Sequence, residues 1–324
     1  MKRLLSVFLA LLMLLALTAC GGDTASSGEA ETEEPASDTE TAGDEAETPE
    51  EPAAETGDEA SADAGTEETS GEPLEAAEIQ VFIAASLDNA FQELVELYRE
   101  RQPNVTVTLN ADSSGTLLTQ IQEGYACDIF FSAATRQMDQ LAEDGLMVEG
   151  TRTDLLGNEV VLITWQGSGT AVTGMDNLSE ASSIALADGS VPVGQYTRTV
   201  LQNMGLLDSS LTAADITTQE ISDALGGVEI NECGNVSQVL QAVAEGSNEV
   251  GTVYYSDAYS EMDRVEILEH IPTDLSGEII YPVAQVVNPE ADELESAAAA
   301  DFLAFLQTDE AMEVFTAYQF LDHR

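Results

Sequence analysis

The hydrophobic positions beyond residue 78 predict strands and helices in alternation. Ile79 to Ala85 is a short apolar run typical of a buried strand, and Asp88 to Arg101 carries apolar residues at helical spacing. The unit recurs, with strands predicted at 105–109, 128–131, 159–165, 184–187, 250–255, 265–268 and 279–287, and helices at 116–123, 137–143, 195–204, 236–244, 294–306 and 310–318. This order indicates an α/β fold with parallel strand pairs and ligand sites at the carboxyl ends of the strands.

The first 20 residues have the pattern of a secretory signal. A positively charged start, Met1 to Arg3, precedes the apolar run Leu4 to Leu17, which is too short for a resident transmembrane helix. The sequence LTACG around Cys20 resembles the bacterial lipobox. That resemblance implies a lipid-modified Cys20 that anchors the protein to the cell membrane on its extracytoplasmic side. An ordinary signal peptide with an incidental Cys20 is the alternative.

Residues 21–78 form an acidic segment of low complexity. They are rich in Glu, Asp, Thr, Ala, Ser, Gly and Pro and contain no Lys, Arg or aromatic residue. Such a segment buries too little apolar surface to offset its ordering entropy, so we expect a disordered linker that lifts a folded domain off the membrane.

The rest of the chain is long enough for two lobes. We expect residues 79–163 to begin lobe 1, residues 164–256 to form lobe 2, and residues 257–324 to return to lobe 1. The net charge of -52 excludes nucleic acid as a natural partner. A protein this negative holds an anion only through strong local dipoles.

Two strand-to-helix junctions place a hydroxyl residue at the start of a helix. These residues are Ser86 and Ser114, and helix N-capping is the simpler explanation for either one alone. Both junctions should open at the same edge of a sheet, where free N–H groups and hydroxyls together would form an anion site. Small residues at Ala133, an N–H near Val193 and the phenol of Tyr254 could add to it, although core packing also explains a buried tyrosine.

Seven stretches, in this order, resemble the molybdate-binding proteins of ABC importers: VFIAASLDNAFQEL, SSGTLLTQIQEG, DIFFSAA, LLGNEVVLI, SVPVGQY, VGTVYYSDA and IIYPVAQVV. The resemblance implies a two-lobed periplasmic-binding-protein-like (type II) fold with a ligand cleft between the lobes. It further implies a monomer that needs no cofactor and closes on molybdate or tungstate for an ABC permease and its ATPase.

In that family neutral donors hold the oxyanion. Carried over position by position, the hydroxyls fall on Ser86, Ser114 and Tyr254, and the backbone N–H groups on Ser86, Ser114, Ala133, Val193 and Val236. A shell of donors disfavours a protonated ion such as hydrogen phosphate, whereas sulfate must be excluded by size. The chain departs from the family at Val193, where Ala is more frequent, and at Asn235, where an acid is common. Residues 229–234 also fit the family poorly.

The resemblance bears on the two cysteines that remain after Cys20. An extracellular setting permits a disulfide between Cys127 and Cys233. The family fold, however, places Cys127 at the far end of a strand and Cys233 near the cleft, so we expect two free, buried thiols.

Four other functions compete with transport of molybdate. An enzyme with a serine nucleophile needs a base, but the chain has only His270 and His323 and no Gly-x-Ser-x-Gly motif. No cluster of His, Cys and Glu has the spacing of a metal site. A binding protein of the same fold for sulfate, phosphonate or a ferric complex, and an acidic adhesin on a stalk, are the remaining alternatives.

Overall fold

The computed structural model describes residues 73–324. The predicted signal peptide, Cys20 and nearly all of the predicted linker lie outside these residues. The folded region begins earlier than predicted, because the first strand starts at Ala77 and the Leu74 N–H donates to Gln102 Oε1 at 2.8 Å. None of the helices in residues 73–324 has the length and apolar character required to cross a membrane.

The described residues form eleven strands: β1 (Ala77–Ala84), β2 (Val105–Asp112), β3 (Ile129–Phe131), β4 (Thr153–Asn158), β5 (Val160–Trp165), β6 (Ser183–Ala187), β7 (Glu229–Cys233), β8 (Val250–Tyr254), β9 (Val265–His270), β10 (Ile279–Gln285) and β11 (Leu321–Asp322).

Ten α-helices connect and flank these strands within the same residues: α1 (Asp88–Arg101), α2 (Ser114–Gln122), α3 (Thr135–Glu143), α4 (Pro192–Asn203), α5 (Thr218–Ala224), α6 (Val236–Ala244), α7 (Tyr255–Ser260), α8 (Thr273–Ser276), α9 (Glu293–Leu306) and α10 (Asp309–Ala317). Short 3-10 helices span Ala85–Leu87, Met175–Glu180 and Ala213–Asp215.

The strands form two mixed sheets, one in each lobe. The first has the order β11-β4-β10-β3-β1-β2 and the second the order β7-β6-β8-β5-β9. Parallel pairs occur as predicted where a helix connects the strands, as between β1 and β2 and between β6 and β7. Antiparallel pairs occur instead at the strands next to the two points where the chain passes from one lobe to the other, namely β4, β5, β9 and β10. A strand that enters a sheet from the other lobe lacks the helical crossover that parallel pairing requires.

The chain crosses between the lobes at positions that differ from the predicted boundaries. β4 ends at Asn158 in the first sheet, and β5 begins at Val160 in the second. β9 still belongs to the second sheet, and β10 returns to the first. Lobe 2 therefore includes β5 and β9, which we had assigned to lobe 1. Hydropathy identified both strands, but only their mutual pairing shows which sheet they join.

The core of the first lobe is an aromatic cluster closed by the C-terminal helices. Phe302 of α9 and Phe315 of α10 lie 6.3 and 6.1 Å from Phe91 of α1, between ring centroids. Phe131 of β3 packs edge-on against Phe91 at 5.8 Å. The end of the chain thus completes the lobe in which the described region begins.

Cys127 and Cys233 are both buried and free, as predicted. Burial raises the pKa of the Cys127 thiol well above its ordinary value. The thiol therefore behaves as a small apolar group rather than as a nucleophile.

Candidate functional site

A small buried cavity lies between the two lobes, and all six predicted site residues line it. Its volume is about 10 Å³, close to the minimum for a single water molecule. Metabolite-sized ligands are therefore excluded in this closed arrangement. Its walls are Ala84, Ala85, Ser86, Ser113, Ser114 and Ala133 from lobe 1, and Val191, Pro192, Val193, Val236 and Tyr254 from lobe 2.

Three helix N-termini converge on the cavity. Ser114 is the first residue of α2, Val236 is the first residue of α6, and Val193 follows Pro192 at the start of α4. Backbone N–H groups in the first turn of a helix have no intrahelical acceptor and carry the positive end of the helix dipole. Both lobes therefore present N–H donors to the same small volume, which no charged side chain lines.

Helix capping does not explain the two serines. Ser113, not Ser114, caps α2, since its Oγ accepts the Thr116 N–H at 3.2 Å. Ser86 lies inside the 3-10 helix Ala85–Leu87 and makes no capping hydrogen bond. The simpler explanation considered for these residues therefore fails, and both hydroxyls are left for another role.

Each serine oxygen has a partner within the protein. The Ala133 N–H donates to Ser114 Oγ at 2.9 Å, so this N–H orients the serine, whereas we had expected it to contact the ligand. Ser86 Oγ lies 3.0 Å from the phenolic oxygen of Tyr281. Tyr281 does not line the cavity, and its contact with Ser86 was not predicted because a tyrosine inside the apolar strand β10 has the local pattern of a core residue.

Tyr254 ends β8 with its phenol buried and unpartnered. Its side chain is 1% exposed, and its oxygen has no hydrogen-bond partner among residues 73–324. Burial raises the pKa of this phenol well above its ordinary value, so the hydroxyl keeps its proton. A buried donor without an acceptor destabilises the folded protein. Among the groups that line this cavity, the Tyr254 hydroxyl is therefore the clearest indication of a ligand-binding site.

The lobes touch closely beside the cavity. A Cβ at Gly115 of α2 would lie 2.5 Å from the backbone oxygen of Ser190 in lobe 2, so only glycine permits this approach. Asn235 caps α6 by accepting the Gln238 N–H at 3.0 Å. Its Nδ2 also donates across the lobes to Asp112 Oδ1 at 3.1 Å. An acidic residue at this position would place a second carboxylate beside Asp112, whereas the Asn235 amide donates a hydrogen bond to it.

A buried cation supports the second-lobe wall. Arg198 of α4 is 1% exposed and donates to the carbonyl oxygens of Ala187, Gly194 and Ile216 at 2.7–2.8 Å. It holds the loop before α4, and hence the N-terminus at Val193, without reaching the cavity wall. Sequence reasoning missed it because an arginine in an amphipathic helix normally reads as a surface residue.

The model of the family "bacterial extracellular solute-binding protein" matches residues 79–321. The chain belongs to this family. Such proteins are transport components that bind a solute, and the two-lobed fold predicted for this one is confirmed.

Named relatives of this solute-binding protein include a molybdate-binding protein and substrate-binding components of ABC transporters. It is 33% identical to YvgL of Bacillus subtilis, provisionally named an ABC transporter substrate-binding lipoprotein, over 75% of this chain and 85% of that one. It is 30% identical to the molybdate-binding protein ModA of Haemophilus influenzae, over 76% and 90%. A solved substrate-binding domain of a provisionally assigned molybdenum ABC transporter from Clostridium difficile aligns at a TM-score of 0.55 and 30% identity, covering 76% and 99%.

The groups that catalysis or metal binding would need lie away from the cavity. His270 pairs with Glu159 at 2.9 Å on the surface, and neither histidine lines the cavity. Within residues 73–324, no group of three His, Cys, Asp or Glu side chains could hold a metal ion.

Asp257, in the first turn of α7, makes the stability of this solute-binding protein depend on pH. Burial raises the pKa of its carboxyl from 3.8 to about 7, partly opposed by the Tyr254 N–H that it accepts at 3.2 Å. The folded state therefore binds the proton more tightly than the unfolded state, and stability falls as pH rises from about 4 to 7.

Replacing Asp257 with Asn removes this dependence and keeps an acceptor for the Tyr254 N–H. Between pH 4 and pH 7, the free energy of unfolding of the parent should fall by up to about 4 kcal/mol relative to that of Asp257→Asn. Above pH 7 the difference between the two proteins, called the gap here, should stay constant. Denaturant unfolding at a series of pH values measures this gap. A gap that does not change with pH would contradict a raised pKa at Asp257.

Proposed function

We propose that this protein captures molybdate or tungstate outside the cytoplasm and delivers it to an ABC permease and its ATPase. The observation that carries the proposal is the buried cavity between the lobes, walled by neutral donors and containing the unpartnered phenol of Tyr254. The name of the Haemophilus influenzae relative, a molybdate-binding protein, supports the same ligand. Binding without catalysis agrees with the family and with a cavity that no histidine lines.

The donor set suits a doubly charged, fully deprotonated oxyanion. The hydroxyls of Ser86, Ser114 and Tyr254 and the N–H groups at Val193 and Val236 can all donate, and an oxyanion only accepts. Each such bond gains strength because the acceptor is charged and water is excluded. Local dipoles at the helix N-termini thus hold an anion inside a protein whose net charge is -52.

Binding proceeds through closure of the lobes. The cavity walls are buried, so the anion reaches them only when the lobes separate. A five-atom oxyanion also needs the lobes slightly further apart than they are in this structure. The connections that flex are Glu159, between β4 and β5, and residues 271–278, between β9 and β10.

The membrane anchor and the oligomeric state are part of the same proposal. We propose that Cys20 carries the lipid and that residues 21–72 link it to the folded region. A monomer suffices, because both walls of the cavity come from one chain. The word "lipoprotein" in the name of YvgL supports the anchor.

A second candidate ligand is sulfate. The small cavity volume favours it, since sulfate is the smaller tetrahedral dianion and also only accepts hydrogen bonds. The donors do not separate the two ions, so the choice rests on size.

Titration of the purified, anion-free protein with molybdate, tungstate and sulfate tests the function. We expect tight binding of molybdate and tungstate, measured by calorimetry, and no heat from sulfate. A higher affinity for sulfate than for molybdate would make sulfate the ligand instead. No binding of any of the three anions would refute an oxyanion site.

Replacing Tyr254 with Phe tests whether its free hydroxyl binds the ligand. The ring contacts with Tyr281 and Tyr196 remain, and one donor to a charged acceptor is lost. Molybdate affinity should fall about 10- to 100-fold, because such a bond contributes about 1.5–3 kcal/mol. The variant should be at least as stable as the parent without ligand, since the lost hydroxyl had no partner. Unchanged affinity would exclude Tyr254 from the site.

Replacing Gly115 with Ala tests closure. The added Cβ meets the Ser190 backbone only when the lobes are closed, so molybdate affinity should fall about tenfold or more while the unliganded protein stays folded. The matched control is Gly234→Ala, whose Cβ makes only ordinary contacts with Gln238. Equal affinities for the two variants would contradict closure through this contact.

A further inference from the structure

We propose that a second pocket between the lobes receives the oxyanion before closure, and that Arg136 draws the anion into it. Arg136 does not line the buried cavity, so it acts on the approach of the anion and not on the bound complex. The inference rests on the proposed function, since it concerns how the same site is filled.

The second pocket, called the outer pocket here, lies directly beside the buried cavity. Its volume is about 260 Å³, and both lobes contribute to its walls. The lining residues are Gly115, Leu118, Arg136, Gln137 and Gln140 from lobe 1, and Gly189, Ser190, Gln195 and Ala214 from lobe 2.

The two spaces meet at the contact between Gly115 and Ser190. Both residues line the outer pocket, whereas their chain neighbours Ser114 and Val191 line the buried cavity. The close approach of Gly115 to the Ser190 backbone oxygen is therefore the boundary between the two spaces. Separation of the lobes breaks this contact and joins the outer pocket to the cavity. The outer pocket is thus a route by which the anion can enter.

Arg136 carries a charge that no group among residues 73–324 neutralises. Arg198 is buried and donates to carbonyl oxygens. The arginines that pair with carboxylates are Arg99, Arg101, Arg152, Arg264 and Arg324. Arg136, in the first turn of α3, is exposed and has neither a hydrogen bond nor an ion pair within the described part of the chain. Its guanidinium is therefore free to attract an anion.

The charge of the outer pocket is opposite to that of the protein as a whole. Arg136 is the one charged side chain among its described lining residues, and none of them is acidic. The whole chain has 61 acidic residues and nine basic ones, so its overall field repels an anion. A cation in a cleft raises the local concentration of anions and their association rate. Arg136 therefore favours approach at the pocket that leads to the binding site.

Gln137 gives a second indication that the outer pocket takes a polar occupant. It is 4% exposed, and its Oε1 has no hydrogen-bond partner among the described residues. A buried acceptor without a donor destabilises the folded protein. An unprotonated oxyanion has no proton to donate, so a water molecule carried by the anion would supply this hydrogen bond. The outer pocket thus suits a hydrated anion, whereas the donors of the buried cavity replace its water.

The association rate of molybdate with the purified, anion-free full-length protein tests the proposal. Arg136→Gln removes the charge and keeps a polar side chain. At an ionic strength of about 10 mM, where charges act over about 30 Å, the association rate constant should fall about two- to fivefold. At about 1 M salt, where the screening length is about 3 Å, variant and parent should associate equally fast. The dissociation rate constant should change less than about twofold, as is usual for a charge at the rim of a site.

Two equilibrium and exchange measurements give these constants. Calorimetry measures the dissociation constant for molybdate, and exchange of radiolabelled for unlabelled molybdate measures the dissociation rate constant. The dissociation rate constant divided by the dissociation constant is the association rate constant.

Arg99→Gln is the matched control. It removes the same charge from an exposed arginine of lobe 1, but Arg99 pairs with Glu96 in the last turn of α1 and lines neither space. Its association rate constant should equal that of the parent. Arg136→Lys should also keep the parent's association rate constant, because attraction of the anion needs the charge and not the guanidinium group.

Three results would overturn the proposal. They are an unchanged association rate constant for Arg136→Gln at low salt, an equal loss in Arg99→Gln, and a loss of affinity that arises only from faster dissociation. The last result would mean that Arg136 holds the bound anion and does not guide its approach. If the parent itself does not bind molybdate, the proposed function fails instead.

Discussion

Buried hydrogen-bond donors without protein acceptors are the constraint on which this site depends. The phenol of Tyr254 and the N-termini of α2, α4 and α6 all face a cavity that no carboxylate lines. Leaving donors unpaired in a dry site costs stability. In the proposed function, an anion that accepts hydrogen bonds from all of them at once offsets that cost. The same arrangement would let a strongly acidic protein hold a dianion without a basic side chain in contact with it, as the proposed function requires.

The donors can be shared between the lobes only because the lobes approach very closely. Gly115 lets the backbone of α2 meet Ser190, and Asn235 donates to Asp112 across the junction. In a chain with 61 acidic residues and nine basic ones, facing surfaces tend to repel. A neutral amide opposite Asp112 removes one such repulsion at the point where closure brings the lobes together.

The departures from the family are compatible with the site. Val193 lines the cavity and stands in the first turn of α4, where its N–H is available whatever its side chain is. Its larger side chain narrows the space, consistent with the small volume observed. Asn235 keeps the capping role that an acid would have and adds the interlobe bond. The poorly matching stretch 229–234 contains β7, an edge strand of the second sheet whose residues are mostly exposed.

The sequence by itself determined the α/β class and most of the strands and helices, but not β4, β7, β11, α5, α7 or α8. Five of the six residues that meet at the cavity could be read from local pattern, whereas Val236 came only from the family resemblance. Hydrophobic periodicity and junction chemistry are local properties, so residues such as Ser86 and Ser114 could be read from their neighbours. Tertiary structure alone decided the lobe to which β5 belongs, the partner of the Ala133 N–H and the contact between Ser86 and Tyr281. Each of these depends on pairing between residues distant in sequence, for example the 195 positions that separate Ser86 from Tyr281. Hydropathy carries no information about such partners, because a buried tyrosine has the same local pattern whether its hydroxyl is used or not.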